Sequence, residues 1–492
     1  DDFTVVVNAG TSLSDNSSDL LGYGGPIRDT GVPNVFNVFD LDNARKRATQ
    51  EGWEEMTQSI FASAEIGWKS MLYLTLTGRN DWASQLKGSN PTSFFYPSVG
   101  LSAVISEMVT LPKAIDYLKV RGSFSSVGTP YPRFLVQPTY SYDPTKQDWN
   151  AKTHYPIGKL KPERTDSWEI GVDGTFFKDF KVSGSFYYAN TYNQTFDPKI
   201  TVSSGYSTLY VRTGYVRNLG VEGLLSYGHT WRDFGWNSNF TFSWNKNKIV
   251  ELVKDYVHPE TGEIVNKDRL ELKGLGYTKF ILKEGGTLGD LYTNADFIRD
   301  DKGYIQIDKN GDVAKTDNLP DIKLGSVFPK ANLAWNNSFS YKGIYAGFQL
   351  SARLGGIVYS ATQAALDQYG VSEASAAARD RGGVLVNGRS WVNAQQYYEI
   401  VATSSGLPQY YTYSATNLRL QEAHIGYTIP RKWLGNICDI NVSVVGRNLW
   451  MIYCKAPFDP EAIATTNNFY QGIDYFMMPS TRNFGFNVKI NF

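Results

Sequence analysis

The chain closes on Arg482-Asn-Phe-Gly-Phe-Asn-Val-Lys-Ile-Asn-Phe492, and the reading of this stretch decides the fold. Phe484, Phe486, Val488, Ile490 and Phe492 share one parity, while Asn483, Gly485, Asn487, Lys489 and Asn491 share the other. Successive side chains of a strand point to opposite faces, so the segment has one apolar and one polar face. Such a strand suits a transmembrane barrel, with lipid outside and a wet lumen inside. It also suits the half-buried last strand of a soluble β protein, so the rest of the chain has to separate the two.

The same alternation recurs upstream. Trp236, Phe240, Phe242 and Trp244 interleave with Asn237, Asn239, Thr241, Ser243 and Asn245. Ile344, Ala346, Phe348, Leu350 and Leu354 interleave with Tyr345, Gln349, Ser351 and Arg353, and Leu72, Leu74 and Leu76 with Tyr73, Thr75 and Thr77. Between Leu418, Leu420 and the later Ala423, Ile425, Tyr427 the parity slips, which predicts a β-bulge near Gln421–Glu422. Candidate strands are 3–11, 57–68, 71–82, 94–106, 116–128, 164–177, 180–195, 214–231, 236–250, 331–342, 344–359, 417–430, 438–451 and 482–492. Several exceed the usual soluble strand of about five or six residues.

The connections discriminate better than any single strand. Lys69-Ser70, Lys178-Asp179, Arg232–Gly235 and Lys342-Gly343 are tight turns, and Glu107–Ile115 and Arg431–Ile437 are short. The intervening connections 12–56, 83–93, 129–163, 196–213, 251–330, 360–416 and 452–481 are longer. Short turns at one end and long loops at the other are the habit of outer-membrane barrels, whereas a sandwich has no reason to segregate its loops. The expected fold is therefore an all-β transmembrane antiparallel barrel wall of about fourteen strands, with Phe492 at the short-turn end.

Composition agrees. The 492 residues carry 48 Lys plus Arg and 48 Asp plus Glu, so charge gives no reason to propose nucleic acid as a partner. Aromatics are abundant (32 Tyr, 27 Phe, 12 Trp), yet no window approaches the roughly 18 unbroken apolar residues of a membrane helix. A chain like this spans a bilayer only as a closed sheet. Asp1-Asp-Phe-Thr carries neither an initiator Met nor a signal peptide, which is expected of a processed or truncated chain. Cys438 and Cys454 flank one crossing strand, about 50 Å apart at about 3.3 Å per residue, against the roughly 7 Å that a disulfide allows, so two free thiols are expected.

The motifs, taken in order, resemble one family. They run Leu74-Thr-Leu-Thr-Gly-Arg79-Asn-Asp81-Trp, Tyr96-Pro-Ser-Val-Gly-Leu101, Leu160-Lys-Pro-Glu163-Arg-Thr-Asp-Ser-Trp168-Glu-Ile-Gly171 and Asn218-Leu-Gly220-Val-Glu222-Gly. Asn417-Leu-Arg-Leu-Gln-Glu-Ala-His-Ile-Gly426, Gly446-Arg-Asn448-Leu and Phe458-Asp459-Pro460-Glu461 complete the series. The set resembles the C-terminal barrel portion of SusC/RagA transporters, TonB-dependent proteins of the Bacteroidetes outer membrane. The resemblance implies a plugged barrel of twenty-two strands, so that the plug and further strands lie outside this chain. It implies TonB-dependent import of oligosaccharides or peptides, a SusD-like surface lipoprotein as partner, and a dimer of transporter–lipoprotein pairs. A passive porin-like channel or a loop-presenting adhesin, and a soluble glycan-binding β protein, are the rival readings.

No motif points to catalysis, cofactor or metal: the chain has no Gly-x-Ser-x-Gly, no His-Glu-x-x-His and no phosphate loop. In Asp308-Lys-Asn310-Gly311-Asp312 the glycine sits at position 4 rather than position 6 of a calcium loop, which favours a β-turn between Ile305–Ile307 and Val313. Aromatics gather in the long loops, with Tyr131, Tyr140, Tyr142 and Trp149 in one, Trp391, Tyr397, Tyr398, Tyr410, Tyr411 and Tyr413 in another, and Tyr470, Tyr475 and Phe476 in a third. Flat rings stack on sugars and their polar tips hydrogen-bond, so Trp149, Trp391, Tyr397, Tyr398 and Tyr475 are the candidate ligand contacts, against the alternative that they pack the loops. Trp68, Trp82, Trp168 and Trp231 suit interfacial girdles. The alanine-rich run 360–381 predicts a short helix or two.

Overall fold

The computed structural model describes residues 2–29, 35, 37–88, 92–129, 133–134, 141–143, 148–150, 163–196, 211–257, 262, 264–465 and 471–492. Fourteen long strands form one antiparallel sheet in which every neighbour in space is the next strand along the wall. They are β1 (Phe3–Gly24), β2 (Arg47–Trp68), β3 (Leu72–Ala83), β4 (Phe94–Val104), β5 (Ile115–Thr129), β6 (Glu163–Phe176) and β7 (Phe180–Phe196). The second half comprises β8 (Val211–Trp231), β9 (Phe234–Glu251), β10 (Ala331–Tyr341), β11 (Ile344–Leu354), β12 (Asn417–Ile429), β13 (Asp439–Cys454) and β14 (Asn483–Asn491). No helix among the described residues is long and apolar enough to cross a membrane.

Register carries the alternation from strand to strand. Phe124 pairs Trp168 and Trp168 pairs Tyr188; one level on, Ile170, Phe186, Val221 and Trp244 pair in sequence. Phe240 lies between Leu225 and Trp335. Each cross-strand apolar or aromatic pair contributes roughly 0.2–1 kcal/mol, and a one-residue slip would turn the whole row to the other face. The slip foreseen near Gln421–Glu422 is present: Gln349 pairs Glu422 while Leu350 pairs Leu420, so Gln421 is the extra residue. The bulge keeps Leu418 and Leu420 on the same face as Ala423 and Ile425.

Three expectations need correction. The connection 12–56 is mostly strand, because β1 and β2 stay paired from Phe3–Trp68 out to Gly24–Arg47. Their outer halves lack alternation, since a ladder that rises beyond the lipid band has water on both faces and no apolar face to mark it. The strand expected over 344–359 stops at Leu354, where Gly355 and Gly356 (φ +77° and +83°) break the ladder. Ile357–Ser360 then joins a separate sheet, antiparallel to Thr412–Ser414 and parallel to Ile473–Asp474. The short/long rhythm is also less strict than the sequence suggests, because β3–β4 and β4–β5 are joined by stretches of equal length, 84–93 and 105–114. Tight turns do join Trp231 to Phe234 and Tyr341 to Ile344 across two residues each.

The buried apolar core lies at the long-loop end, not within the wall. Phe280, Leu282 and Leu291 of one loop pack with Val401, Leu407 and Tyr411 of another, and with Val216 and Ile249 at the rim of β8 and β9. The helices expected in 360–381 are α1 (Ala361–Gln368) and α2 (Glu373–Asp380), and α3 (Ala394–Val401) follows. Each begins on a side chain that accepts from its first turn: Ser360 from Gln363 N–H, Ser372 from Ser375 N–H, Asn393 from Gln395 N–H.

Candidate functional site

The inner face is lined by polar residues of one parity. Arg121 contacts Glu169 and has Asp173 at 3.6 Å; Arg79 bonds Asp81 at 2.6 Å and Ser59 Oγ at 2.8 Å. Toward the mouth, a cavity of about 360 Å³ opens between β7–β10 and the stretch Phe328–Lys330. Its wall includes Gln194, Asn218, Asn245, Asn247 and Asn332, with the Phe328 ring on the loop side. Asn247 donates to Asn218 Oδ1 at 3.0 Å and accepts from Leu288 N–H at 3.0 Å, tying wall to loop. Carboxamides both donate and accept, so this part of the wall matches hydroxyl or amide groups, with Glu163 and Lys330 the charged residues at the cavity.

The loops above form a cap. Asp290, 1% exposed, accepts from Thr287 at 2.7 Å and contacts Lys323, so its charge is paired. Tyr411 donates to Asp367 at 3.0 Å, and burial followed by the Asp367 charge pushes the phenol far up. The loop before β14 is held twice. Ser360 and Thr362 donate to Asp474 at 2.5 and 3.0 Å. Arg419 at the top of β12 grips Asp459 through two bonds of 2.8 and 3.1 Å and reaches Glu461 at 3.1 Å. Burial raises the Asp459 pKa, but the hydrogen bonds from Arg419 and Glu461 N–H outweigh it and hold the carboxyl below its ordinary range.

The five candidate contacts do not form one cluster. Trp149 is 63% exposed on the hairpin Ser141–Asp143/Asp148–Asn150, its ring edge-on to Tyr142 at 5.3 Å. Trp391, 57% exposed, lies opposite Leu385 on a second hairpin, Val384–Val386/Ser390–Val392. Tyr475, 53% exposed, contacts only Phe476 among the described rings, at 5.1 Å. Tyr397 and Tyr398 are brought together on α3, edge to face at 5.4 Å. Both are half-buried against the loop core, Tyr397 lying 6.3 Å from Phe297, with its phenol pushed up to about 12 by burial and then by Tyr410. Tyr398 also borders a cavity of about 360 Å³ with Asp367, Arg379 and Glu399. Tyr131, Tyr140 and Tyr470 lie outside the described residues.

Sequence reasoning missed the carboxamide wall, although Asn245 and Asn247 share a parity that could have shown it. It missed the Arg419–Asp459 pair because forty positions separate the partners. The Asp308–Asp312 stretch is the expected turn: Asp308 Oδ1 accepts from Asn310 N–H at 2.8 Å and Asp312 N–H at 2.9 Å, and Gly311 takes φ +88°. Both cysteines are free, as the strand length required.

Residues 2–449 match the model of the family described as TonB dependent receptor-like, beta-barrel. TonB-dependent receptor P3 of Formosa agariphila is 24% identical over 463 residues, covering 88% of this chain and 45% of the relative. TonB-dependent receptor SusC of Bacteroides thetaiotaomicron is 24% identical over 246 residues, covering 44% of this chain and 24% of the relative. The chain thus spans less than half the length of the curated relatives it matches. Among solved structures, the RagAB peptide importer in its open-open state superposes with a TM-score of 0.74 at 16% identity, over 100% of this chain and 53% of that one. The wall and its polar lumen are thereby placed in the outer membrane, and the chain belongs to the TonB-dependent receptor-like β-barrel family, of SusC/RagA type.

Proposed function

We propose that this chain forms wall, lumen and external cap of an active importer that takes up an oligomeric nutrient, an oligosaccharide or a peptide. TonB energises it through the remainder of the receptor, and a SusD-like lipoprotein closes over the cap, the pairs assembling as dimers. One observation carries the reading: the external loops share a buried core and sit over a carboxamide-lined mouth, which is the build of a ligand-handling surface rather than an open pore. The exposed rings of Trp149, Trp391 and Tyr475 are the proposed stacking contacts, with Tyr398 at the α3 cavity and Tyr397 positioning it from the core.

The test is uptake by cells that express the full-length receptor. Fluorescent oligosaccharides and peptides should accumulate only with TonB present and the inner membrane energised, and a lipoprotein should co-purify. Uptake that persists after loss of TonB would establish a passive channel instead.

A further inference from the structure

The outer surface of the wall carries cations where lipid-facing residues end. On β9 the outward parity reads Phe240, Phe242, Trp244, Lys246, Lys248, while Ser243, Asn245 and Asn247 line the mouth cavity. Lys248 pairs across the ladder with Arg217, and Lys246 with Leu219. On the other side Arg217 pairs Asn190, which pairs Asp166. Arg217, Lys246 and Lys248 therefore stand side by side on the outer face.

Like charges directly opposite each other destabilise a sheet, so this arrangement has a cost in the isolated wall. Neighbouring acids do not offset it. Asp166 is taken by Arg164 at 2.8 Å and Ser126 at 2.7 Å, and Glu251 has Lys254 at 3.8 Å. No ion pair involves the side chain of Lys246 or Lys248 among the described residues, and both are exposed. Arg217 is held in place instead: it donates to the Tyr215 hydroxyl at 2.6 Å and lies 5.1 Å from the Tyr188 ring, and Tyr192 stacks on Tyr215 at 4.9 Å.

The height is informative. Trp168, Tyr188 and Trp244 mark an aromatic belt on the same face. Lys246 shares a ladder row with Leu219, Tyr188 and Trp168, and Lys248 lies one level beyond; on strands tilted about 40° the two lysines rise roughly 5 and 10 Å above Trp244, through the belt and into the headgroup layer. We propose that Arg217, Lys246 and Lys248 form a site for the phosphate of a phosphorylated glycolipid in the outer leaflet. Arg217 is the fixed, preorganised donor and the two lysines close on the phosphate from the neighbouring strand, while the acyl chains lie along Val221, Phe240 and Phe242.

The test uses the full-length receptor, purified in detergent and stripped of lipid, titrated by native mass spectrometry with bis-phosphorylated lipid A, with the same lipid enzymatically dephosphorylated, and with inorganic phosphate as competitor. The phosphorylated lipid should bind at least tenfold tighter than the dephosphorylated one, and millimolar phosphate should not displace it. The double variant K246Q/K248Q, which removes both charges while keeping polar side chains and leaves the Arg217–Tyr215 bond intact, should bind about thirtyfold more weakly. The lumen-facing control K119Q/K489Q should bind as the parent does. Equal binding of the two lipids overturns the proposal, as does parental affinity in K246Q/K248Q. Displacement by free phosphate would show an anion site with no lipid selectivity and overturn it too. None of these outcomes depends on what the receptor imports.

Discussion

At the scale of the residue, Arg419 and Asp459 are a buried ion pair that ties the loop before β14 to the wall. The Arg419 side chain is 6% exposed and that of Asp459 9%, so neither can fall back on water if the other is lost. Replacing Arg419 with Ala strands the buried Asp459 carboxylate and is expected to cost about 3–5 kcal/mol locally. Hydrogen exchange over 455–482 in the full-length receptor should rise, with the β5–β6 ladder unchanged as internal control. The same pair has a pH signature. Because the Asp459 pKa is depressed in the fold, its contribution is complete above the ordinary aspartate range and is lost as pH falls through the folded value below it, while arginine stays charged. Protection of this loop, measured relative to the intrinsic exchange rate at each pH, should therefore fall on acidification in the parent and be less pH-sensitive in Asp459→Asn.

At the scale of the element, side-chain parity governs what the wall tolerates. Gln421 is the extra residue of the bulge, so deleting it leaves Leu418, Leu420, Ala423 and Ile425 on the face they already occupy. Deleting Ile425 instead moves Tyr427 and Ile429 to the lumen side. The first deletion should yield a barrel that still migrates as a heat-modifiable band on gels, and the second should not. The bulge was legible in the sequence because apolar residues on both sides of it mark their face. The outer halves of β1 and β2 were not, because nothing apolar marks a face where both are wet. Nor was the cap core legible: Phe280, Val401 and Ile473 come from three loops and follow no common period. The exposed positions of Trp149, Trp391 and Tyr475 and the half-burial of Tyr397 and Tyr398 likewise depend on contacts between loops, which no local pattern encodes.

At the scale of the molecule, the sheet has two edges. Among the described residues β1 pairs only β2 and β14 pairs only β13, and unpaired backbone cannot face hydrocarbon. The rest of the receptor is the proposed source of the strands that flank them. The two cysteines sit at opposite ends of one strand and so report on the orientation of the whole wall. Cys438 lies just before β13 at the short-turn end, and Cys454 ends β13 at the cap, where its Sγ lies 3.7 Å from Phe458 O. A small, membrane-impermeant thiol reagent added to intact cells should therefore modify Cys454 and spare Cys438, and both should react once the outer membrane is opened. Cys454 is only half-exposed, so a second reporter, K455C in a C454S background, places a thiol at an exposed position on the same side. Labelling of Cys438 on intact cells with Cys454 and K455C spared would invert the wall, moving the cap to the periplasm and removing the basic patch from the outer leaflet. With the predicted pattern, the carboxamide mouth, the capped loops and the Arg217–Lys248 patch all lie on the extracellular side of the membrane.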